Sequence, residues 1–89
     1  MQIILDPGET RHVKLKIYNC KNEPFEITTA DYEMIRVYNK EIIASGHAAI
    51  LDHVLDVVIS PPESGTYLLK YTYVIGDETL VDVVEVKVL

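Results

Sequence analysis

Several residue types on which particular classes of protein depend are scarce or missing in this chain of 89 residues. Cys20 is the only cysteine, so no disulfide can form within the chain, and a reducing compartment is indicated. Tryptophan is absent, which leaves a carbohydrate site poorly supplied with rings on which a sugar could stack. No apolar run approaches the length of a membrane-spanning helix, and the run after Met1 is too short for a signal peptide. We therefore predict neither a membrane association nor a signal peptide.

Basic residues are also in the minority, because the net charge is −6 at pH 7. Binding to a nucleic acid duplex needs a basic face, so we predict no nucleic-acid partner. Residues 41–89 hold two Lys or Arg against eight Asp or Glu and carry the whole excess, whereas residues 1–40 are balanced. Two interpretations stay open: the acidic part orients the domain against a basic partner, or it only keeps the protein soluble.

The chain has enough apolar residues for one folded domain, predicted to span residues 1–89. Hydrophobic residues make up 48% of it, which argues against disorder. A chain of this length buries somewhat over ~60% of its unfolded surface, which is enough for one core without disulfides. Its radius of gyration should be roughly 12 Å.

The apolar residues recur with the period of β-strands. In residues 11–18, Val13, Leu15 and Ile17 alternate with polar residues, as expected of a strand with one buried face. Turn signals follow roughly every eight to twelve residues, and no segment has a convincing helical period. The pattern predicts an all-β protein of seven to nine short strands.

The last third of the chain predicts a hairpin. Residues 66–75 and 79–89 are rich in β-branched, aromatic and aliphatic residues, and Gly-Asp-Glu-Thr lies between them. Pro61 and Pro62 end the preceding strand because neither can donate to a ladder. Tyr67, Leu69, Tyr71 and Tyr73 share one face of the first strand of the hairpin. On a buried face, Tyr67 would fill a corner and its hydroxyl would bind the backbone; exposed tyrosines would instead mark an interface.

Three stretches depart from a simple alternation. Residues 31–38 have apolar side chains on both faces, which indicates partial burial of both or a bulge. Ser45-Gly46 should break the strand that returns after the Asn39-Lys40 turn. In the final strand Asp82 shares the inward face with Val84, which leaves two interpretations: a bulge near Asp82-Val83 restores the alternation, or both faces are apolar and one meets a partner.

The hairpin thus has more apolar surface than one core requires, and we predict a partner interface there. Leu68 and Val74 lie opposite the tyrosines, and Val81 and Val83 lie opposite Val84 and Val86. The predicted interface residues are Tyr71, Tyr73, Leu68, Val74, Val81 and Val83.

Residues suited to catalysis or to metal binding are present but not in the spacing that either needs. The three histidines and Cys20 lack the close-spaced pairs of a zinc site. Gly76-Asp77-Glu78-Thr79 offers too few oxygen ligands for calcium and suits a hairpin turn. No serine has a Gly-x-Ser-x-Gly context. We predict no catalytic residue, cofactor or metal, with a small enzyme or metal carrier kept only as a formal competitor.

The order of these signals resembles that of small immunoglobulin-like modules in tail and baseplate proteins of bacteriophages and prophages. The shared layout comprises an Asp-Pro-Gly-Glu-Thr lead-in at residues 6–10, an alternating strand, an Ala-x-Tyr-x-Met strand at residues 30–34, a break at Ser45-Gly46, and an Ile-x-Pro-Pro-x-x-Gly-x-Tyr passage at residues 59–67. Gly65 before Tyr67 is how many immunoglobulin-like sandwiches enter their penultimate strand. The chain lacks the long helical and receptor-binding regions of receptor-binding baseplate proteins.

This resemblance implies an immunoglobulin-like antiparallel β-sandwich with no catalytic residues to transfer. The expected function is that of a structural or assembly module in a phage or prophage particle, in its tail, baseplate or neck. Its partners would be identical subunits or neighbouring virion proteins, and its location the virion or the bacterial cytoplasm during assembly. The alternative is a stand-alone binding domain of bacterial surface type, with a protein or carbohydrate ligand.

Overall fold

The computed structural model describes residues 2–18 and 24–89, and the regular structure in these ranges consists of β-strands. No helix in the described part of the chain is long and apolar enough to cross a membrane. The strands are β1 (Gln2–Leu5), β2 (Arg11–Lys16), β3 (Ile27–Arg36), β4 (Glu41–His47), β5 (Ala49–Leu51), β6 (Val54–Ile59), β7 (Gly65–Ile75) and β8 (Glu78–Val88). The prediction of an all-β protein is confirmed.

The strands form two sheets. A five-stranded sheet has the order β1-β8-β7-β3-β4, and a three-stranded sheet has the order β2-β6-β5. The prediction that all strands pair antiparallel was wrong for β1, which pairs parallel with β8. No hairpin joins these two strands, so the chain is free to bring β1 in alongside β8 in either direction. Leu89 N–H donates to the carbonyl of Leu5 at 3.0 Å and extends this ladder.

One apolar core lies between the two sheets. Alternate residues are buried in β6, in β7 and in the second half of β8, as the period of two requires. The Tyr71 hydroxyl of β7 donates to the carbonyl of Val13 in β2 at 3.1 Å and thereby ties the two sheets together through the core. The buried residues come from both sheets and form a single cluster: Leu5, Val13, Ile17, Ile27, Ala30, Met34, Ala48, Leu55, Val57, Ile59, Tyr67, Leu69, Tyr71, Tyr73, Val84, Val86 and Val88.

Several local predictions are confirmed. Val13 and Ile17 are buried and Leu15 is half-buried, as the alternation of β2 indicates. Both faces of residues 32–36 are at least partly buried, which was one of the two interpretations of residues 31–38. The bulge beside them lies in β4 instead, because Met34 pairs with Ala44 and Ile35 pairs with Ile42, so that Ile43 is the extra residue. The turn at Asn39-Lys40 forms with the positive φ at Lys40, and the Asn39 side chain accepts a hydrogen bond from Glu41 N–H at 3.0 Å.

One other local prediction was wrong, and one of the two interpretations of the final strand is excluded. Ser45 and Gly46 do not break the strand, because β4 continues to His47 and Gly46 pairs with Tyr32 in β3. The Tyr32 ring covers this glycine, since a Cβ built on Gly46 would lie 3.4 Å from the ring. No bulge occurs near Asp82-Val83 either. Every residue of β7 from Gly65 to Ile75 has a partner in β8 in one unbroken register.

The molecule is longer than a compact chain of its length would be. Its radius of gyration is 13.5 Å and its dimensions are 40 × 20 × 19 Å. The cause is the hairpin of β7 and β8, whose strands have eleven residues each, whereas β6 at the centre of the other sheet has six. The far end of the hairpin therefore extends beyond the three-stranded sheet.

Candidate functional site

Tyr71 and Tyr73 lie in the core and not on the surface. Their exposed fractions are 0% and 5%, so their inclusion in the interface predicted from the sequence is corrected. Both side chains point towards the three-stranded sheet, with Tyr67 and Leu69 of the same strand. The other interpretation of these tyrosines, that they lie on a buried face of β7, is therefore the one that the structure has.

The environment of the two tyrosines favours their neutral form. Burial and then the negative charge of Asp56 raise the pKa of Tyr71 above its ordinary value. Burial and then the hydrogen bond to Asp82 raise the pKa of Tyr73 to about 12. The Tyr73 hydroxyl donates to the Asp82 carboxylate at 2.6 Å, so the inward aspartate of β8 has a hydrogen-bond partner.

Alkaline pH should destabilise the fold through these tyrosines. Because the pKa of Tyr73 is about 12 when folded and 10.0 when exposed, the folded state holds this proton more tightly. The stabilisation is complete below pH 10.0 and is lost as the pH rises towards 12. Each such tyrosine contributes a slope of at most about 1.4 kcal/mol per pH unit to the free energy of unfolding. Urea titrations across this range should show a shallower slope for Tyr73→Phe, and an unchanged slope would contradict the assignment.

The other four predicted interface residues lie on the outer face, which we define as the surface of the five-stranded sheet turned away from the three-stranded sheet. Val81 and Val83 have exposed fractions of 52% and 48%. Leu68 and Val74 are half-buried on β7, which pairs with β8 on one side and β3 on the other. Four apolar residues from two adjacent strands thus share one surface.

The outer face includes apolar residues that the sequence patterns did not identify. Ile35 pairs with Leu68 across β3 and β7, and with Ile42 across β3 and β4. Ile4 of β1 and Ile42 are each 53% exposed. Ile35 was recognisable only as one side of a strand with two apolar faces, because alternation does not show which of two apolar faces meets the other sheet.

Two polar pairs also lie on the outer face. Lys70 of β7 and Glu33 of β3 are partners in register, and Lys70 Nζ lies 3.9 Å from Glu33 Oε1. Their strands stand third and fourth in the five-strand order, so this ion pair is near the middle of the face. Closer to the edge, His47 Nδ1 lies 2.6 Å from an Asp31 carboxylate oxygen. The face therefore combines apolar side chains with polar groups that already pair.

The four sheet edges have features that hinder the addition of another strand. β1 has four residues and is soon followed by Pro7, and β5 has three. β2 carries Lys14 and Lys16, and the extra Ile43 interrupts the ladder of β4. Short edges, lysines and bulges are the devices by which proteins prevent edge-to-edge pairing. Contacts with a partner are therefore better supported on the outer face than at the edges.

The opposite surface, on the three-stranded sheet, is more charged. His12, Lys14 and Lys16 alternate with the buried residues of β2, and His12 Nδ1 lies 3.1 Å from the Asp56 carboxylate. Val58 is the exposed valine of this surface, with an exposed fraction of 50%. It matches Val81 and Val83 in residue type, strand context and exposure, and so provides a control position.

A cleft of about 940 Å³ opens at the end of the molecule beyond the three-stranded sheet. Tyr73 and Asp82 line it with acidic residues of the hairpin turn, Asp77 and Glu78. The remaining lining residues are Leu15, Lys16, Ile17, Tyr18, Pro24, Phe25, Glu26, Thr28, Ile75, Gly76 and Leu80. The cleft is open to solvent and has both apolar and acidic walls.

The histidines occupy separate positions. His12 and His47 contact carboxylates on different sheets, and the His53 ring stacks on Phe25 at 3.9 Å between ring centroids. Within residues 2–18 and 24–89, no three His, Cys, Asp or Glu side chains come together as a metal site would require. The prediction for Cys20 concerns a residue outside the described ranges.

The molecule is an all-β protein of two sheets whose most distinctive surface is the outer face. A comparison of the sequence with protein-family models found no match, and neither did comparisons with curated proteins and with solved structures.

Proposed function

We propose that this chain is a non-catalytic, immunoglobulin-like β-sandwich that acts as an assembly module of a phage or prophage particle. Its outer face would contact protein partners, which are identical subunits or neighbouring virion proteins. The observation that carries the assembly role is the half-exposed pair Val81 and Val83, on a face that also presents Leu68 and Val74.

The sheet order supports the immunoglobulin-like part of the proposal. If β2 to β8 are taken as strands B, C, C′, D, E, F and G, the sheets read B-E-D and G-F-C-C′, as in immunoglobulin domains. The position of β1 differs from that of strand A in constant-type immunoglobulin domains. Strand A there extends the B-E-D sheet, whereas β1 pairs with β8, which corresponds to strand G.

Tyr67 supplies a second, independent argument for this fold. It lies near the start of β7, the penultimate strand, and its side chain is fully buried. Its hydroxyl donates to the carbonyl of Glu63, four residues upstream, at 2.7 Å. A tyrosine at the start of strand F whose hydroxyl binds the backbone a few residues earlier is the tyrosine corner of immunoglobulin-like sandwiches.

The chemistry of the outer face supports a role in assembly. Monomeric proteins seldom expose contiguous apolar patches that serve no purpose, and a mixed patch with a polar surround is typical of an interface. The Lys70–Glu33 pair within the patch provides charges that a partner can complement. Placement of this partner in a phage particle rests on the resemblance in sequence layout described above.

Incorporation into particles tests this proposal directly. In a phage or prophage that encodes the chain, Val83→Lys should reduce the number of copies per purified particle at least ~10-fold, because a lysine at a buried contact costs over ~1.4 kcal/mol. Quantitative mass spectrometry of the particles measures this number. Val58→Lys is the matched control and should leave it unchanged. Absence of the wild-type chain from the particles, or equal incorporation of both variants, would overturn the proposal.

A stand-alone binding domain for a protein or carbohydrate ligand is the second candidate, and the cleft at the hairpin end is the observation that favours it. Glycan and peptide arrays distinguish the two functions. Binding that Asp82→Asn abolishes and Val83→Lys leaves intact would assign the ligand to the cleft and favour this candidate. Arrays without any binder would argue against it.

A further inference from the structure

We propose that the outer face packs against the outer face of a second copy of this chain, around a two-fold axis between Lys70 and Glu33. The axis lies in the interface and runs along the strands. This inference rests on the proposed assembly role and names the partner and the arrangement.

The central ion pair makes the outer face complementary to itself. Lys70 and Glu33 are neighbours in register on adjacent strands, and their side chains are 40% and 39% exposed, so both remain available to a partner. A two-fold axis midway between them places Lys70 of each copy opposite Glu33 of the other. The two pairs then become four alternating charges, and no charge faces its like.

The same axis also matches the apolar residues. Leu68 and Ile35 are likewise partners in register across β7 and β3, one row along from the ion pair. The rotation that exchanges Lys70 with Glu33 therefore places Leu68 of one copy against Ile35 of the other, and the reverse. Val83 of β8, which pairs with Lys70, then lies over β4 of the second copy. In this one arrangement opposite charges face each other and Leu68 faces Ile35, while Val83 lies over Ser45, the β4 partner of Glu33.

The size of the face suits a stable dimer. With the axis between β7 and β3, the strands β8, β7, β3 and β4 of the two copies overlap, and β1 lies outside the overlap. Four strands of about 4.8 Å each cover a width of ~19 Å, and β3, with ten residues, is roughly 33 Å long. About 600 Å² of each copy can therefore be covered, which is at the lower end of what one partner contributes to a specific interface. Sheets packed face to face keep their strands nearly aligned, as this axis requires.

Charge reversal with mixing tests this arrangement. By sedimentation equilibrium, Lys70→Glu and Glu33→Lys should each weaken dimerisation at least ~10-fold, because each places like charges opposite each other. An equimolar mixture of the two variants should dimerise more tightly than either alone and within about threefold of the wild type. Only charges that meet across the interface predict this recovery, since each variant retains its internal repulsion.

A pair of valine variants provides a second measurement that does not alter the ion pair. Val83→Lys should abolish dimerisation, whereas Val58→Lys on the opposite surface should dimerise like the wild type. A wild-type chain that is strictly monomeric at millimolar concentration would overturn self-pairing, as would a mixture no tighter than its components. If that monomer still enters particles and Val83→Lys does not, self-pairing fails and the assembly role survives. If the chain dimerises but is absent from particles, self-pairing survives and the assembly role in a particle fails.

Discussion

Replacement of Tyr71 by alanine is expected to lower the free energy of unfolding by about 3–5 kcal/mol, as for other large aromatic residues in cores. Tyr71 is completely buried, and its hydroxyl donates to the Val13 carbonyl of the opposite sheet. A domain of this size is stable by only about 5–15 kcal/mol, so the variant should be barely folded at room temperature. Urea titration followed by circular dichroism measures the loss.

Two further variants separate the causes of this loss. Tyr71→Phe keeps the ring and removes only the hydroxyl, and should cost about 1–2 kcal/mol through the lost hydrogen bond. Tyr38→Ala removes a tyrosine that is 93% exposed, and should change stability by less than about 0.5 kcal/mol. Equal losses for Tyr71→Ala and Tyr38→Ala would contradict the burial of Tyr71.

The second large effect concerns two adjacent valines of β8. Val84→Lys should cost more than about 4 kcal/mol and leave the chain unfolded, because Val84 is buried in the core and an ammonium group there has no partner. Val83→Lys should change the stability of the monomer by less than about 0.5 kcal/mol, because that side chain points to the outer face. The contrast follows from the unbroken register of β7 and β8.

Thermal unfolding of both variants at low protein concentration, where association does not contribute, provides the measurement. A bulge at Asp82-Val83 would turn Val83 inwards, and both variants would then be strongly destabilised. A folded Val83→Lys is also what allows the assembly and dimerisation experiments to report on contacts with partners.

Strand alternation made much of the core predictable from the sequence. Alternation placed Val13 and Ile17 on one face of their strand, and Tyr67 and Leu69 on one face of theirs, and these residues are buried. A period of two can be recognised because it is a local property of the chain. It does not show which side of a strand meets the other sheet when both sides are apolar. For that reason Tyr71 and Tyr73 were also placed in the interface, while Val81 and Val83 were correctly placed opposite the core residues of their strand.

Other features depend on contacts between distant parts of the chain and are not encoded in any local pattern. The parallel pairing of β1 with β8 joins the two ends of the sequence. Asp82 shares the inward parity of Val84, and alternation alone does not show whether an inward position is covered by the other sheet. Its position beyond the three-stranded sheet leaves it exposed and within reach of the Tyr73 hydroxyl. Ile42 lies on the outer face because it pairs with Ile35, and this pairing depends on the bulge at Ile43, which shifts the register of β4.

The parallel pairing of β1 with β8 also affects how the protein would respond to tension. Gln2 pairs with Glu85 and Leu5 pairs with Val88, so both strands run in the same direction. The chain before Gln2 and the chain after Val88 therefore leave the ladder at opposite ends. A force applied before Gln2 and after Val88 pulls the two strands in opposite directions along their length, so the hydrogen bonds between them are loaded together, in shear. In a hairpin pulled from its open end, by contrast, the hydrogen bonds break one after another. A pulling force transmitted through the chain would thus act first on the hydrogen bonds between β1 and β8.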